Sequence, residues 1–154
     1  MLQAPKIDNH RMRTTHIDLM LQELLEITGA SRVTLRRDIP GDYAFPVTNE
    51  ARLPGVPSLK EERTVDLKMQ PVVLELGKGH QIVQDDCRAA FDDPAFHDML
   101  EAYGGLAAQI VTPILAAGEL VAIVSLHQIG APRKWGDEEV AAAAQTAERV
   151  AALR

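Results

Sequence analysis

A single cysteine, Cys87, stands in 154 residues, so no disulfide can brace one copy of this chain. Small secreted domains usually depend on such braces, and a reducing compartment is the natural setting for a chain without them. Aromatic residues are scarce at 4%. No apolar run approaches the ~20 residues needed to cross a bilayer. The N-terminal stretch has no hydrophobic signal region, and cytoplasm is the expected location. Excess positive charge is missing too: 16 Lys and Arg stand against 22 Asp and Glu, a formal net charge of −6. Basic residues come as small groups (Arg11 with Arg13, Arg36 with Arg37, Arg133 with Lys134) rather than as a stripe that tracks phosphates. Neither nucleic acid nor a membrane is an expected partner.

What is present is an ordinary globular composition, 46% apolar and 25% charged, in a length that suits one domain with a full-sized core. Residues 1–13 are polar and read as a flexible lead-in to a single domain at 14–154. Ile17, Met20, Leu21, Leu24, Leu25 and Ile27 recur at helical spacing, predicting an amphipathic helix over 14–28 closed by Gly29. Residues 31–38 alternate, with Val33 and Leu35 on one face and Arg32, Thr34 and Arg36 on the other, the pattern of a half-buried strand. Pro40, Gly41 and Asp42 make a turn, and residues 43–48 read as the hairpin partner, with Pro46 marking an edge or bulge. Residues 49–70, with Pro54, Gly55 and Pro57, are either a solvated connection or a cover over a cavity.

Residues 71–76 predict a short helix with Pro71 in its first turn, and 81–84 a short strand. An acidic loop at 85–93 follows, then a helix over 94–103 capped by Asp92 or Asp93 and ended by Gly104 and Gly105. The richest segment is 106–154. Strands at 107–115 and 119–127 are joined by Ala116, Ala117 and Gly118, and residues 120–126 are apolar at nearly every position. Antiparallel strands normally wet one face. A strand apolar on both faces therefore demands cover on both sides of its sheet. Gly136 and Asp137 open a last, Ala-rich helix, with Asp137, Glu138 and Glu139 complementing its positive end.

The string Gln109-Ile-Val-Thr-Pro-Ile-Leu-Ala-Ala-Gly-Glu-Leu-Val-Ala-Ile-Val-Ser-Leu-His127, then Pro132-Arg-Lys-Trp135 and Asp137-Glu-Glu139, resembles the closing hairpin and helix start of the GAF domain family. Ala122 stands where the family pattern usually has Gly. Gly79-His-Gln-Ile-Val-Gln-Asp-Asp86 is similar to the family's short strand ending in Asp. The resemblance spans residues 17–152. It implies an α+β fold: a GAF-like (profilin-like) central antiparallel sheet of five to six strands, the N- and C-terminal helices on one face, and a ligand chamber under loops and short helices on the other. It implies a small-molecule ligand lined by Tyr43, Phe45, Asp85, Asp86, Cys87, Phe91, His97, Tyr103, Thr112, Ser125 and His127. It also implies a homodimer through the terminal helices. The chain carries no output domain and ends within a helical pattern, so a larger regulator or a separate partner is expected.

Side-chain chemistry narrows the ligand without naming it. His80, Asp85, Asp86, Cys87, Asp92, Asp93 and His97 are donors for iron or zinc, but their spacing matches no compact metal motif, and no metal is assigned. GAF-type free-methionine sulfoxide reductases need more than one cysteine. Bilin-binding relatives use a Cys beside a His, whereas Cys87 is followed by Arg88. A glycine-rich phosphate cradle is missing, and the nearby acids oppose a phosphate, which disfavours cyclic nucleotides. The cofactor is left unknown. The resulting expectation is a non-catalytic, ligand-sensing regulatory domain that binds an apolar or aromatic metabolite and signals through its terminal helices. The alternatives are a small enzyme using Cys87, His97 and Asp86 in the same chamber, or a plain dimerisation module with the chamber collapsed.

Overall fold

A computed structural model describes residues 9–42 and 45–153. Strands β1 (Arg32–Arg37), β2 (Val47–Arg52), β3 (Ile82–Gln84), β4 (Leu106–Ala116) and β5 (Glu119–Ile129) form one sheet in the order β2-β1-β5-β4-β3. Every neighbouring pair is antiparallel. Helices α1 (Asn9–Thr28) and α5 (Asp137–Leu153) lie on one face. The other is covered by a loop at 53–66, a 3-10 turn at Leu67–Met69, and the helices α2 (Pro71–Leu76), α3 (Cys87–Ala90) and α4 (Pro94–Ala102). The α+β class, the five-stranded sheet and the two-sided cover agree with expectation.

The β4–β5 hairpin is the spine. Ala116 pairs with Glu119, leaving Ala117 and Gly118 at φ 51° and 80°, the left-handed pair of a two-residue turn that matches strand twist. Period-two alternation then sends Ala122, Val124 and Leu126 to the helix face, where they meet Ile17, Leu21 and Leu24 of α1 and Ala143, Ala147 and Val150 of α5. The small alanines of α5 let that helix lie close against the sheet. Ile123 goes the other way and joins Leu67, Val72, Leu76, Phe96, Met99 and Leu100. Each face thus has its own apolar core.

Two latches fix the outer segments. Trp135 donates its Nε1–H to the Gln84 carbonyl at 3.1 Å and its backbone N–H to Asp85 Oδ1 at 3.1 Å. Arg133 stacks 4.6 Å over the Trp135 ring and pairs with Glu139. Glu139 reaches back to the Gly136 N–H at 2.9 Å, closing the first turn of α5. On the opposite face Asp93 caps α4 by accepting from the backbone of Ala95 and Phe96.

Several boundaries differ from expectation. Helix α1 starts by Asn9, so the lead-in ends earlier than residue 13, and Thr14 and Thr15 lie inside the helix instead of capping it. Residues 1–8 are outside the described residues. Strand β2 begins at Val47 rather than 43. Phe45 sits at φ 49° and Pro46 has no N–H for the ladder, so regular pairing starts only after them, beside an irregularity between Leu35 and Arg36. The polar run Thr48-Asn-Glu50 is strand because its side chains have partners: Asn49 donates to Asp18 of α1 at 2.8 Å, and Glu50 accepts from Ser58 and from the Leu59 N–H. The acidic loop contains the short helix α3.

Leu126 is fully buried between β5 and the helix pair, whereas Val83 on the edge strand is 44% exposed. Leu126→Ala should lower unfolding free energy by about 3 kcal/mol, from lost transfer energy and the cavity left behind. Val83→Ala should change it by less than about 0.5 kcal/mol. Urea unfolding of the two variants measures both values.

Candidate functional site

Strand β1 lies between β2 and β5, so its polar face is not at the surface. Arg32, Thr34 and Arg36 are each at most 3% exposed and lie under the loop-and-helix cover. A buried guanidinium stays charged and needs partners. Arg32 has four contacts: Nε donates to His127 Nδ1 at 3.0 Å, a terminal nitrogen lies 2.9 Å from the same Nδ1, and the two terminal nitrogens donate to the Pro57 carbonyl at 2.8 Å and the Tyr103 carbonyl at 2.9 Å. Burial, partly offset by Glu50, lowers its pKa to about 10, and it remains a cation at neutral pH.

His127 takes its state from that neighbour. A guanidinium has no lone pair to offer, so Nδ1 must accept and the ring proton resides on Nε2. Burial above all, then the charges of Arg32 and Arg36, hold the His127 pKa well below its ordinary value of 6.5. The imidazole is therefore neutral. Tyr103 stacks on it with ring centroids 6.2 Å apart, and the Arg36 guanidinium sits 5.2 Å from the Tyr103 centroid. Arg36 also donates to the Phe45 carbonyl at 3.0 Å. Burial raises the Tyr103 pKa, so its hydroxyl is a neutral donor or acceptor.

Above these groups is a chamber of about 30 Å³ lined by Arg36, Tyr103, Gln109, Ser125 and His127 on its polar side. Its apolar side is made by Leu67, Val72, Val73, Leu76, Met99, Val111 and Ile123. The space suits about two waters or a group of similar bulk. Gln109 is held by donating to Gln84 at 2.8 Å. No acidic side chain lines the chamber. Its polarity is thus opposite to that expected from the acids at 85–93, which lie outside it.

Of the expected ligand residues, Tyr103, Ser125 and His127 meet in this chamber. Tyr43 lies outside the described residues. Phe45 is buried in the same core but does not line the space. Thr112 is on the wrong face for this chamber: it accepts from Gln81 at 3.0 Å, and Gln81 also donates to the Val140 carbonyl of α5. It shares parity with Ala108 and Ile110, which pack towards the helices. Asp85 is the latch to Trp135, and Asp86 lines a separate pocket with Arg88 and Glu101. Cys87 is completely buried, and burial, then Asp86, pushes its thiol up to about 12, so it is not a thiolate at neutral pH. His97 Nε2 lies 2.8 Å from the Phe91 carbonyl, which makes that nitrogen a donor and the ring a strap between α3 and α4. Phe91 packs edge-on to Phe96 at 5.1 Å. Among the described residues no three His, Cys, Asp or Glu side chains converge as a metal site would require.

Arg32, Arg36 and Gln109 were not anticipated in the site. The signal lay in β1: an alternating strand next to a doubly buried β5 has both faces covered, so its charged face has to be a buried polar floor.

The floor gives a pH test. In the unfolded chain His127 takes up a proton as pH falls through 6.5, while in the folded protein it does not. Stability from this residue is therefore present above that pH and lost below it, with a slope approaching about 1.4 kcal/mol per pH unit. Urea unfolding between about pH 5 and pH 7 should show that slope in the native protein and its loss in His127→Gln. Equal slopes would contradict the neutral imidazole.

The chain matches the GAF domain family over residues 14–153 and belongs to it. Solved structures with the same fold include the blue-light absorbing form of the Thermosynechococcus elongatus PixJ GAF domain, with TM-score 0.76, 18% identity, and 97% of this chain and 91% of that one covered. A phycoerythrobilin-bound GAF domain from a cyanobacterial phytochrome aligns with TM-score 0.71 and 18% identity, covering 97% of this chain and 95% of that one. The chromophore-binding domain of a bacteriophytochrome from R. palustris aligns with TM-score 0.71 and 16% identity, over 93% of this chain and 57% of that one. No curated protein matches the chain in sequence. At such identities the likeness to solved structures concerns the fold.

Proposed function

We propose that this chain, as a GAF domain, is a regulatory unit that binds a small molecule in the chamber beneath α2 and α4, without catalysis of its own. The observation that carries the reading is the buried polar floor. Replacing buried charges by apolar groups of similar volume is often neutral or stabilising. A floor of Arg32, Arg36, Tyr103 and His127 beside an apolar wall is therefore costly as mere filling, and fits a ligand with a polar end and an apolar body. This also weighs against a plain dimerisation module.

The structurally similar domains include a phycoerythrobilin-bound one, which supports ligand binding as the use of the fold. A bilin itself does not fit this chain: the chamber is about 30 Å³, and Cys87, the single cysteine, is buried outside its lining with a protonated thiol. The enzyme reading is weakened for a related reason. Asp86, Cys87 and His97 do not line the chamber, and two of the three are occupied with packing or strapping.

Signalling is assigned to α1 and α5, which pack on the same sheet whose opposite face holds the chamber and on each other, with Arg149 lying 3.5 Å from Glu23. A ligand that shifts Ile123 or Ser125 moves β5, and β5 carries Val124 and Leu126 on the helix side. Met12, Leu19 and Ile27 are exposed on α1 at spacings of about two helical turns and form the apolar stripe assigned to a homodimer. No described helix is long and apolar enough to cross a membrane, and a cytoplasmic setting with an output domain or partner protein is part of the proposal.

Mass spectrometry of the purified protein should release a bound small molecule. Hydrogen exchange of loaded against stripped protein should differ in α1 and α5 as well as in the cover. Ligand protection confined to the cover would remove the signalling route, and monomer alone in concentrated sedimentation runs would remove the dimer.

A further inference from the structure

A second cavity, of about 330 Å³, lies between α4 and the 3-10 turn with the start of α2, and it shares Met99 with the chamber. That volume is in the range of small-molecule sites. Its lining holds Asp66, Asp93 and Asp98 and no Lys, Arg or His, so its charge is the reverse of the chamber's. Asp93 is already committed: its Oδ1 accepts from the Ala95 and Phe96 N–H groups at 2.8 and 3.2 Å and caps α4. Asp66 and Asp98 are not. Both are exposed, Asp66 makes no cap to the turn it precedes, and neither side chain has an ion pair or hydrogen bond among the described residues.

Exposed acids alone are ordinarily just solvated. The second observation is Gln70. It is 6% exposed, lines the same cavity, and stands before α2 without its side chain capping that helix. Its Oε1 is buried and receives no hydrogen bond among the described residues. A buried acceptor without a donor is costly, and a donor brought to it gains a bond without displacing another partner.

These groups discriminate among cations. Calcium and magnesium need several oxygens converging on one point. Among the described residues no three His, Cys, Asp or Glu side chains do so. A quaternary ammonium carries charge but no N–H for Gln70. A primary ammonium supplies both, a positive charge and three donors. Val65, Pro71 and Met99 add an apolar wall for the attached carbon chain.

We propose that this cavity binds a small primary alkylamine as its ammonium ion, with one N–H donated to Gln70 Oε1, the charge balanced by Asp66 and Asp98, and the alkyl chain against Val65, Pro71 and Met99. The two free carboxylates come from different elements, one before the 3-10 turn and one within α4, so the ion bridges two parts of the cover. Salt screens their attraction, because both are open to water. The bond to Gln70 is buried and provides the selection for an N–H donor. The site lies outside the polar floor of the chamber, and the sensing role proposed above does not depend on it.

The purified chain is titrated with butylammonium, with tetramethylammonium as a cation lacking N–H, with 1-butanol as a neutral counterpart, and with calcium, each followed by amide NMR shifts. Butylammonium should bind about tenfold or more tightly than the other three, with shifts concentrated at 64–71 and 93–102. Gln70→Leu, and Asp66→Asn combined with Asp98→Asn, should each weaken it about fivefold or more. Asp92→Asn, which changes an exposed acid outside the cavity lining, should bind as the native chain does. Should Gln70→Leu fail to fold, the two surface substitutions and the preference over tetramethylammonium decide the matter. Tetramethylammonium binding as well as butylammonium would reduce the site to diffuse charge and overturn the assignment. Calcium binding as tightly would overturn it too, as would shifts centred on Ser125 and His127 or no binding of butylammonium at millimolar concentration. The sensing role stands through all of these results, and fails only when no small molecule is released from the purified protein.

Discussion

Arg32 is the constraint around which the loop face is organised. It stands on an interior strand, fully buried, and remains a cation because a guanidinium scarcely deprotonates. Its cost is offset by the charge of Glu50 and by contacts from three separate pieces of chain: His127 on the neighbouring strand, Pro57 in the cover loop, and Tyr103 at the end of α4. One side chain thus ties the cover to the sheet at two backbone carbonyls. Gly104 belongs to the same arrangement, since at φ 85° a Cβ there would stand 3.1 Å from Pro57 Cγ. The loop can come that close to the end of α4 only because no side chain intervenes.

The sheet's two faces are consequently built on different physics. Towards α1 and α5 the contacts are aliphatic and close, with alanines setting the helix distance. Such a face transmits displacement because it leaves little room to absorb it. Towards α2 and α4 the apolar wall meets a polar floor held by hydrogen bonds, and the chamber lies where wall and floor meet. β5 takes part in both. Its alternation places Ser125 and His127 in the chamber and Val124 and Leu126 against the helices, so the two pairs share one backbone.

Much of this was legible in the residues. The hairpin of β4 and β5, the demand for cover on both faces, a cap at Asp92 or Asp93 and the acidic start of α5 follow from local pattern, while the presence of Tyr103, Ser125 and His127 near one chamber was implied by the family resemblance. What was illegible depends on partners distant in the chain. Asn49 and Glu50 read as part of the 49–70 connection because the groups that satisfy them, on α1 and in the 53–66 segment, are identified only by the fold. Arg32 and Arg36 read as a solvated face because alternation reports that a strand has two kinds of face without saying what covers the polar one. Thr112 was placed by its neighbourhood on the hairpin, yet parity along β4 turns it towards α5. The acids at 85–93 were near the chamber in sequence but serve the Trp135 latch, the α4 cap and the surface instead.

The most direct test of the central claim is residue-resolved hydrogen exchange of Arg32→Met against the native chain. Met keeps comparable bulk while removing the charge and all donors. If Arg32 is the tie between sheet and cover, the loop at 53–66 and the end of α4 should lose about 3 kcal/mol of protection, roughly a hundredfold in exchange rate, with α1 and α5 changing much less. Equal loss across both faces, or unchanged protection in the loop, would contradict it.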